Sequence, residues 1–200
     1  MTETRGFPEL KPVDAPPELD RFATAVRRLQ DLAVSTNPDG EVWNTATEAI
    51  ERACAALEPH QVPDGHAPAG RATKLPGLGH PLMPPWTITE FGEDGVVMAG
   101  LFSRFHVGGN MAVHGGVIPL FYDWHFGMVV SAAGRPISRT AYLHVDYRAV
   151  TPIDTPLISR GRIERLDGRK AFITATMTDP DGTVLSEANG LMIKLLPHQP

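Results

Sequence analysis

Cysteine occurs once in this 200-residue chain, at Cys54, so no disulfide can close within it, and a reducing compartment is implied. Positive charge is in deficit: 18 Lys and Arg stand against 23 Asp and Glu, a formal net charge of −5. The basic footprint of a nucleic-acid binder is therefore missing. No apolar run reaches the roughly 18 residues that a membrane helix needs. The opening MTETRGFPELK carries charge where a secretory leader would have an apolar core. These absences read as a cytoplasmic protein with neither membrane nor nucleic acid among its partners. Also missing are a GxSxG nucleophile elbow, a Cys–His arrangement, and the GK[ST] ending that would make Gly108-Gly109 a phosphate loop. His60, His66 and His80 match no metal-ligand spacing and have no cysteines or paired carboxylates nearby, so no metal is expected.

What is present is ordinary in bulk, with 42% hydrophobic and 20% charged residues, enough for one domain with an extension. Residues 1–17 read as a loose arm. After Pro16-Pro17, which suit a helix start, Phe22, Ala25, Val26, Leu29, Leu32 and Ala33 recur at helical spacing. Asn37-Pro38-Asp39-Gly40 is a turn, and Val42, Ala46, Ala49, Ile50, Ala53 and Leu57 mark a second helix with Cys54 beside its stripe as a packed thiol. The two helices are expected to form a hairpin with a face to bury. Residues 58–85, rich in Pro, Gly and His, have no period; an irregular segment of that length is usually functional, a lid, or disordered. Strand patterns follow at 86–91 and 96–105 around Glu93-Asp94-Gly95, then at 138–149, 156–166, 169–178 and 184–196, with turns at Asp167-Gly168 and Asp179-Pro180-Asp181-Gly182. The fold expected is α+β: an antiparallel sheet wrapped around one long central helix, with an N-terminal helical extension. The division is 1–74 for arm, hairpin and linker, and 75–200 for the main domain.

That central helix is the stretch from Val117 to Ala133, in which Asp123 and His125 are the only acidic or basic side chains. A helix apolar all round is expected to be engulfed by the fold. A carboxylate there is costly unless partnered or used, and apolar surroundings would make Asp123 a fitting general base. His125 reads as structural. At the helix start, Gly115 and Gly116 leave backbone amides open to an anion or developing oxyanion, with Pro119 in the first turn. Asp123 follows His114 by nine residues, roughly 13 Å and half a turn round the helix, so the two ends should act together only across a two-fold axis. The expectation is a dimer with two composite sites, Gly127 leaving room for close backbone approach.

These residues resemble a known family. His114-Gly115-Gly116 with Asp123 nine residues on, the run Thr140-Ala-Tyr-Leu-His-Val-Asp-Tyr-Arg-Ala-Val-Thr-Pro152, and the turns Asp167-Gly168-Arg169-Lys170 and Asp181-Gly182 are similar to the hotdog-fold acyl-CoA thioesterases of the phenylacetyl-CoA thioesterase (PaaI-like) type. The likeness covers residues 75–196. It implies that Asp123 activates water or attacks the thioester carbonyl, that the Gly115 amide polarises that carbonyl, that His114 shapes the pocket, and that Thr140 positions water. It further implies substrate contacts from Asn110 and Gly116, with Arg148, Arg169 and Lys170 meeting the phosphates of coenzyme A. Gly108 stands where the family places an asparagine, and Asn110 would substitute through a shifted loop. The substrate implied is an acyl-CoA, with no cofactor, on a homodimer or a tetramer built as a dimer of dimers. A hotdog acyl-thioester hydratase or dehydratase, and a non-catalytic acyl-CoA-binding protein, are the alternatives. The N-terminal extension would cover a substrate channel.

Overall fold

A computed structural model describes residues 12–196. Helix α1 spans Pro17–Ser35 and α2 spans Gly40–Leu57, the latter capped by Asp39, whose carboxylate accepts from the Val42 N–H at 3.0 Å. Strands β1 (Thr87–Gly92) and β2 (Gly95–Gly100) form a hairpin, and a small ribbon of β3 (Val107–Gly109) and β4 (Ala112–Val113) leads into helix α3, Val117–Ala132. Four long strands follow: β5 (Ser138–Tyr147), β6 (Leu157–Asp167), β7 (Lys170–Thr178) and β8 (Val184–Lys194). The main sheet is antiparallel throughout, in the order β1-β2-β6-β7-β8-β5. Helix α3 touches every one of its strands, so the sheet curls round the helix as the sequence pattern requires.

The core is where α3 meets the concave face of that sheet. Phe121, Tyr122, Phe126 and Val129 on the helix pack against Met98, Leu157, Ile173, Ala175 and Met177. Trp86 stacks on Phe121 with ring centroids 4.3 Å apart and closes one end with Phe102. Burying each of the Val, Leu, Ile, Phe and Met side chains among these stabilises the fold by roughly 1.5–3 kcal/mol. His125 lies wholly inside, its ring held between Ser159 Oγ at 3.0 Å and the Val96 carbonyl at 3.1 Å. The carbonyl can only accept, so Nε2 carries the proton and Nδ1 accepts from Ser159. Burial pushes this histidine down to about 4, which keeps it neutral, in line with a structural role.

Several expectations are corrected. The strand expected over 96–105 stops at Gly100, because the backbone there crosses Trp86; a Cβ on Gly100 would sit 2.5 Å from the indole. Residues 103–106 turn instead into a tight cap in which the Ser103 N–H donates to His106 Nδ1. The helices α1 and α2 do not pack as a hairpin. Among the described residues, α1 buries only Ala23 and α2 buries none, and Phe22, Leu29, Val42, Trp43, Ile50 and Leu57 are all more than 40% exposed. Cys54 is exposed rather than packed.

What docks α1 is polar. The Arg27 guanidinium donates to the carbonyls of Met83 (2.7 Å), Pro76 (3.1 Å) and His80 (3.1 Å), and Asp31 accepts from the Phe105 N–H at 2.9 Å. The arm expected over residues 1–17 is described only from residue 12. From there it is tied down by Val13 N–H to the Arg71 carbonyl (3.0 Å) and by Lys74 to Asp14 (2.7 Å); residues 1–11 lie outside the described part. No described helix is long and apolar enough to cross a membrane.

Candidate functional site

The sheet does not close completely round α3. Gly116, Asp123 and Ser131 are exposed, Leu120 and Gly127 are half-buried, and these positions recur every three or four residues. They form one open stripe along an otherwise engulfed helix. Asp123 therefore faces outward in the single chain, and the burial expected of it is absent there. The reason is geometric: an apolar sequence says that a helix face is covered, not that its own sheet covers it.

Among the described residues Asp123 has one hydrogen-bond partner. Thr140 Oγ1, at the start of β5, donates to its carboxylate at 2.6 Å and lies 3.0 Å from Met192 Sδ on β8. A bulge between Thr140 and Tyr142 shifts the register of β5 against β8 at this point. Since the hydroxyl proton is committed to Asp123, the Thr140 oxygen is left as an acceptor. Carboxylate and hydroxyl thus make a paired acceptor set, which is what holding a water for deprotonation requires.

Two turns back along the same stripe is the His114-Gly115-Gly116 turn. The His114 carbonyl accepts from the Val117 N–H at 2.9 Å, and its ring Nδ1 accepts from the Gly116 N–H at 3.0 Å. The ring is therefore the Nε2–H tautomer. On the other side, Tyr147 Oη, at the end of β5, donates to the Gly115 carbonyl at 2.7 Å. Both peptide planes flanking Gly115 are pinned, although glycines in sequence would otherwise be the loosest part of the backbone. The Gly115 N–H is left without an acceptor among the described residues, at the positive end of α3. The Gly116 N–H, also expected to meet substrate, is already occupied by His114.

The half-turn expected between His114 and Asp123 does not apply, because α3 starts only at Val117 and His114 and Gly115 lie before it. Gly116, at the helix cap, and Asp123 lie on one face. Their seven residues still separate them by about 10 Å along the axis. A single chain cannot place both on one small group.

The remaining candidates do not converge. Asn110 sits with Met111 at the exposed tip of the β3–β4 ribbon, both with positive φ (48° and 59°), the pattern of a tight hairpin turn. Gly108, in the position the family gives to asparagine, has no room for a side chain: a Cβ would come 2.7 Å from the His114 backbone. Arg148 follows β5 near the α3 N-terminus and is engaged by Glu187 (2.7 Å) and Asp146 (3.3 Å). Those acids hold its guanidinium above its ordinary range. Arg169 and Lys170 are at the other end of β5, where Arg169 donates to the Lys194 carbonyl at 3.1 Å. Ten residues of strand, about 30 Å, lie between these groups, so they do not grip one phosphate together.

Two parts of the site escaped the sequence reading. Tyr147 joins it through a contact 32 residues away from Gly115, with no local pattern to announce it. The other is a cavity of about 840 Å³ next to Gly127, between β1, the second half of α3 and the start of β5, with Gly70, Arg71, Thr73 and Leu78 of the irregular segment along its edge. No cluster of His, Cys, Asp and Glu among the described residues could hold a metal.

Comparison with known proteins bears on this arrangement. Residues 110–186 match the family model of the thioesterase superfamily. Acyl-coenzyme A thioesterase THEM4 from Rattus norvegicus is 34% identical over 89 residues, 44% of this chain; the chain spans only 38% of that relative's length. A crystal structure of a thioesterase superfamily protein superimposes with a TM-score of 0.76 and 25% identity, covering 92% of this chain and 97% of that one. The E. coli PaaI protein from the phenylacetic acid degradation operon shares the fold at a TM-score of 0.52 and 12% identity, over 56% of this chain and 80% of its own. The helix wrapped in an antiparallel sheet and the structural matches show the hotdog fold, and the stretch 110–186, which holds the HGG turn and Asp123, is similar to the thioesterase superfamily.

Proposed function

We propose that this protein hydrolyses acyl-CoA thioesters at composite sites between two copies of the chain. The observation that carries the reading is the open stripe of α3, with the Asp123–Thr140 pair at its middle and an unpaired Gly115 amide at its start. Residues 75–196 supply the catalytic unit, and residues 12–74 cover it. Two such helices packed antiparallel about a two-fold axis bring one copy's Asp123 to the other's Gly115 turn, twice per dimer; a tetramer would pair two such dimers. The relatives named as acyl-coenzyme A thioesterases support the substrate class.

In this reading a water donates one hydrogen to Thr140 Oγ1 and the other to Asp123. Asp123 takes the proton as oxygen attacks the thioester carbon, and the partner copy's Gly115 N–H receives the developing oxyanion. Collapse of the tetrahedral intermediate expels the thiolate, which needs no acid to leave at neutral pH. General-base help of about 10²–10⁴-fold and an oxyanion donor worth about 10²–10³-fold suffice for a working enzyme. His114 and Tyr147 act by holding the Gly115 turn. Direct attack by Asp123 on the carbonyl is the other route open to the same geometry. Arg148, Arg169 and Lys170 would each serve separate parts of coenzyme A, and Asn110 would lie at the edge of the site.

The test is Asp123→Asn, with free-thiol release from acyl-CoA and sedimentation measured together. Release should drop by about 10²–10⁴-fold while the dimer persists. Undiminished turnover removes Asp123 from the mechanism, and hydration of crotonyl-CoA by the unaltered protein would favour a hydratase instead.

A further inference from the structure

Helix α3 carries a mid-helix glycine for which its own chain shows no need. Gly127 is one turn beyond Asp123, and a Cβ there would meet no atom within 4 Å. Glycine inside a helix costs roughly 1 kcal/mol relative to alanine, and here no close packing accounts for it. The space it borders is the cavity of about 840 Å³ described above. That lies within the roughly 300–1,000 Å³ of pockets that enclose a small ligand.

The cavity's chemistry is that of an apolar tail. Leu78, Ile88, Phe91, Met128 and Met192 line it. The arginines along it serve the protein: Arg71 donates to the Gly65 carbonyl at 3.1 Å, Arg135 to the Gly168 carbonyl at 3.1 Å, and Arg139 is also engaged. Only Arg135 Nε is left buried without an acceptor. One edge, Gly70–Leu78, is held by Gly70 N–H to the Leu78 carbonyl (3.0 Å) and Gly77 N–H to the Trp86 carbonyl (2.8 Å), and the Arg27 clasp sits behind it. This edge and β1 both precede residue 110, where the match to the superfamily begins.

Resting on the thioesterase reading, we infer that the cavity receives the apolar acyl tail of the substrate. The tail runs from the carbonyl at Asp123 past Gly127, and the edge at residues 70–78 together with Phe91 sets the chain length accepted. Selectivity of this protein is thus written in its N-terminal extension and β1 rather than in the part shared with the superfamily.

The experiment compares kcat/KM for acetyl-, butanoyl-, octanoyl-, dodecanoyl- and hexadecanoyl-CoA in the full-length protein, Thr73→Phe and Phe91→Ala. Thr73 is an exposed position on the edge of the cavity and lies off the open stripe of α3, so a phenyl ring there fills space without entering the core or the helix face. Thr73→Phe should lower kcat/KM for the longest chain that the unaltered protein accepts by about tenfold or more, leaving acetyl-CoA unchanged. Phe91→Ala should move the optimum to longer chains. Equal loss at every length, no loss at any, or a preference for acyl chains ending in a carboxylate (through Arg135) overturns the inference. Calorimetric titration with S-alkyl-CoA thioethers reads the same length dependence without turnover. Length-dependent binding erased by Thr73→Phe in a protein that hydrolyses nothing would keep the cavity's role and sink the thioesterase reading. Hydrolysis lost in Asp123→Asn, with no length-dependent effect of Thr73→Phe, would do the reverse.

Discussion

The body and the extension of this chain are held by opposite means. Around α3 the contacts are apolar and dense: Trp86, Phe102, Phe121 and Phe126 are sealed from solvent, and the buried polar groups His125, Tyr122, Ser159 and Ser186 satisfy one another or a backbone carbonyl. In the extension, α1 turns much of its apolar stripe outward and docks through Arg27, Gln30 and Asp31 onto backbone groups. The contrast teaches that an amphipathic helix need not use its apolar face where it attaches. It also assigns the two regions different failure modes, global for the body and local for the extension.

The largest effect should come from opening the body. Phe121 touches Trp86, Phe102, Tyr122, Trp124 and His125, so Phe121→Ala leaves a cavity where several rings meet. A loss of about 3–5 kcal/mol is expected, measured as the shift in urea midpoint at constant slope. A loss under about 1 kcal/mol would mean that the aromatic cluster is not the keystone of the core.

Acid is the next lever, and it too acts on the body. His125 stays neutral in the folded chain down to about pH 4, whereas in the unfolded chain it protonates below its ordinary value of 6.5. Its stabilising contribution is therefore complete above pH 6.5 and is lost as pH falls from there toward 4. The full loss is about 3 kcal/mol. Burial pushes His106 down as well, adding to the slope in the same direction. Equilibrium unfolding between pH 7 and 5 should show this decline, and His125→Gln should flatten most of it. An unchanged slope in that variant would take the titration away from His125.

How much of this is legible in the sequence differs between the regions for one physical reason. The succession of strands along the chain, the turn at Asp167-Gly168 and the engulfed helix follow from local periodicity; their pairing does not, because the four later strands read as a simple meander whereas β5 lies beside β8 and β2 beside β6. Nor does coverage. Leu120 and Met128 look like core residues in the sequence, yet they are only half-buried because the sheet wraps only part of the cylinder. Asp123 stands out in the sequence by its isolation among apolar residues, and that same isolation hides its exposure. Tyr147 and Arg27 act through contacts 32 and 49–56 residues away, and charge on an amphipathic helix reads as solvated unless its partners are in view.

Breaking the clasp should separate the regions. Arg27→Met keeps the aliphatic stem and removes the donors to Met83, Pro76 and His80. Hydrogen bonds from a charged donor are worth about 1.5–3 kcal/mol, and here they secure α1 and residues 76–83 rather than the sheet. Limited proteolysis should therefore cut the Arg27→Met protein within residues 58–85, while the unfolding midpoint of the body moves little. A matching drop in that midpoint would show that extension and body unfold as one unit, erasing the distinction drawn above.

The smallest effect belongs to α2, and it is informative because it is small. Ile50 is 41% exposed and α2 buries no residue, so Ile50→Lys removes little apolar contact within the chain. Surface changes of this kind usually stay within about 0.5 kcal/mol. Lysine is, if anything, the better helix former of the two. The variant should thus unfold at the same urea concentration as the unaltered protein. A clear destabilisation that grows with protein concentration in the unaltered chain would show that α2 is covered by another copy, because only an intermolecular contact makes stability depend on concentration.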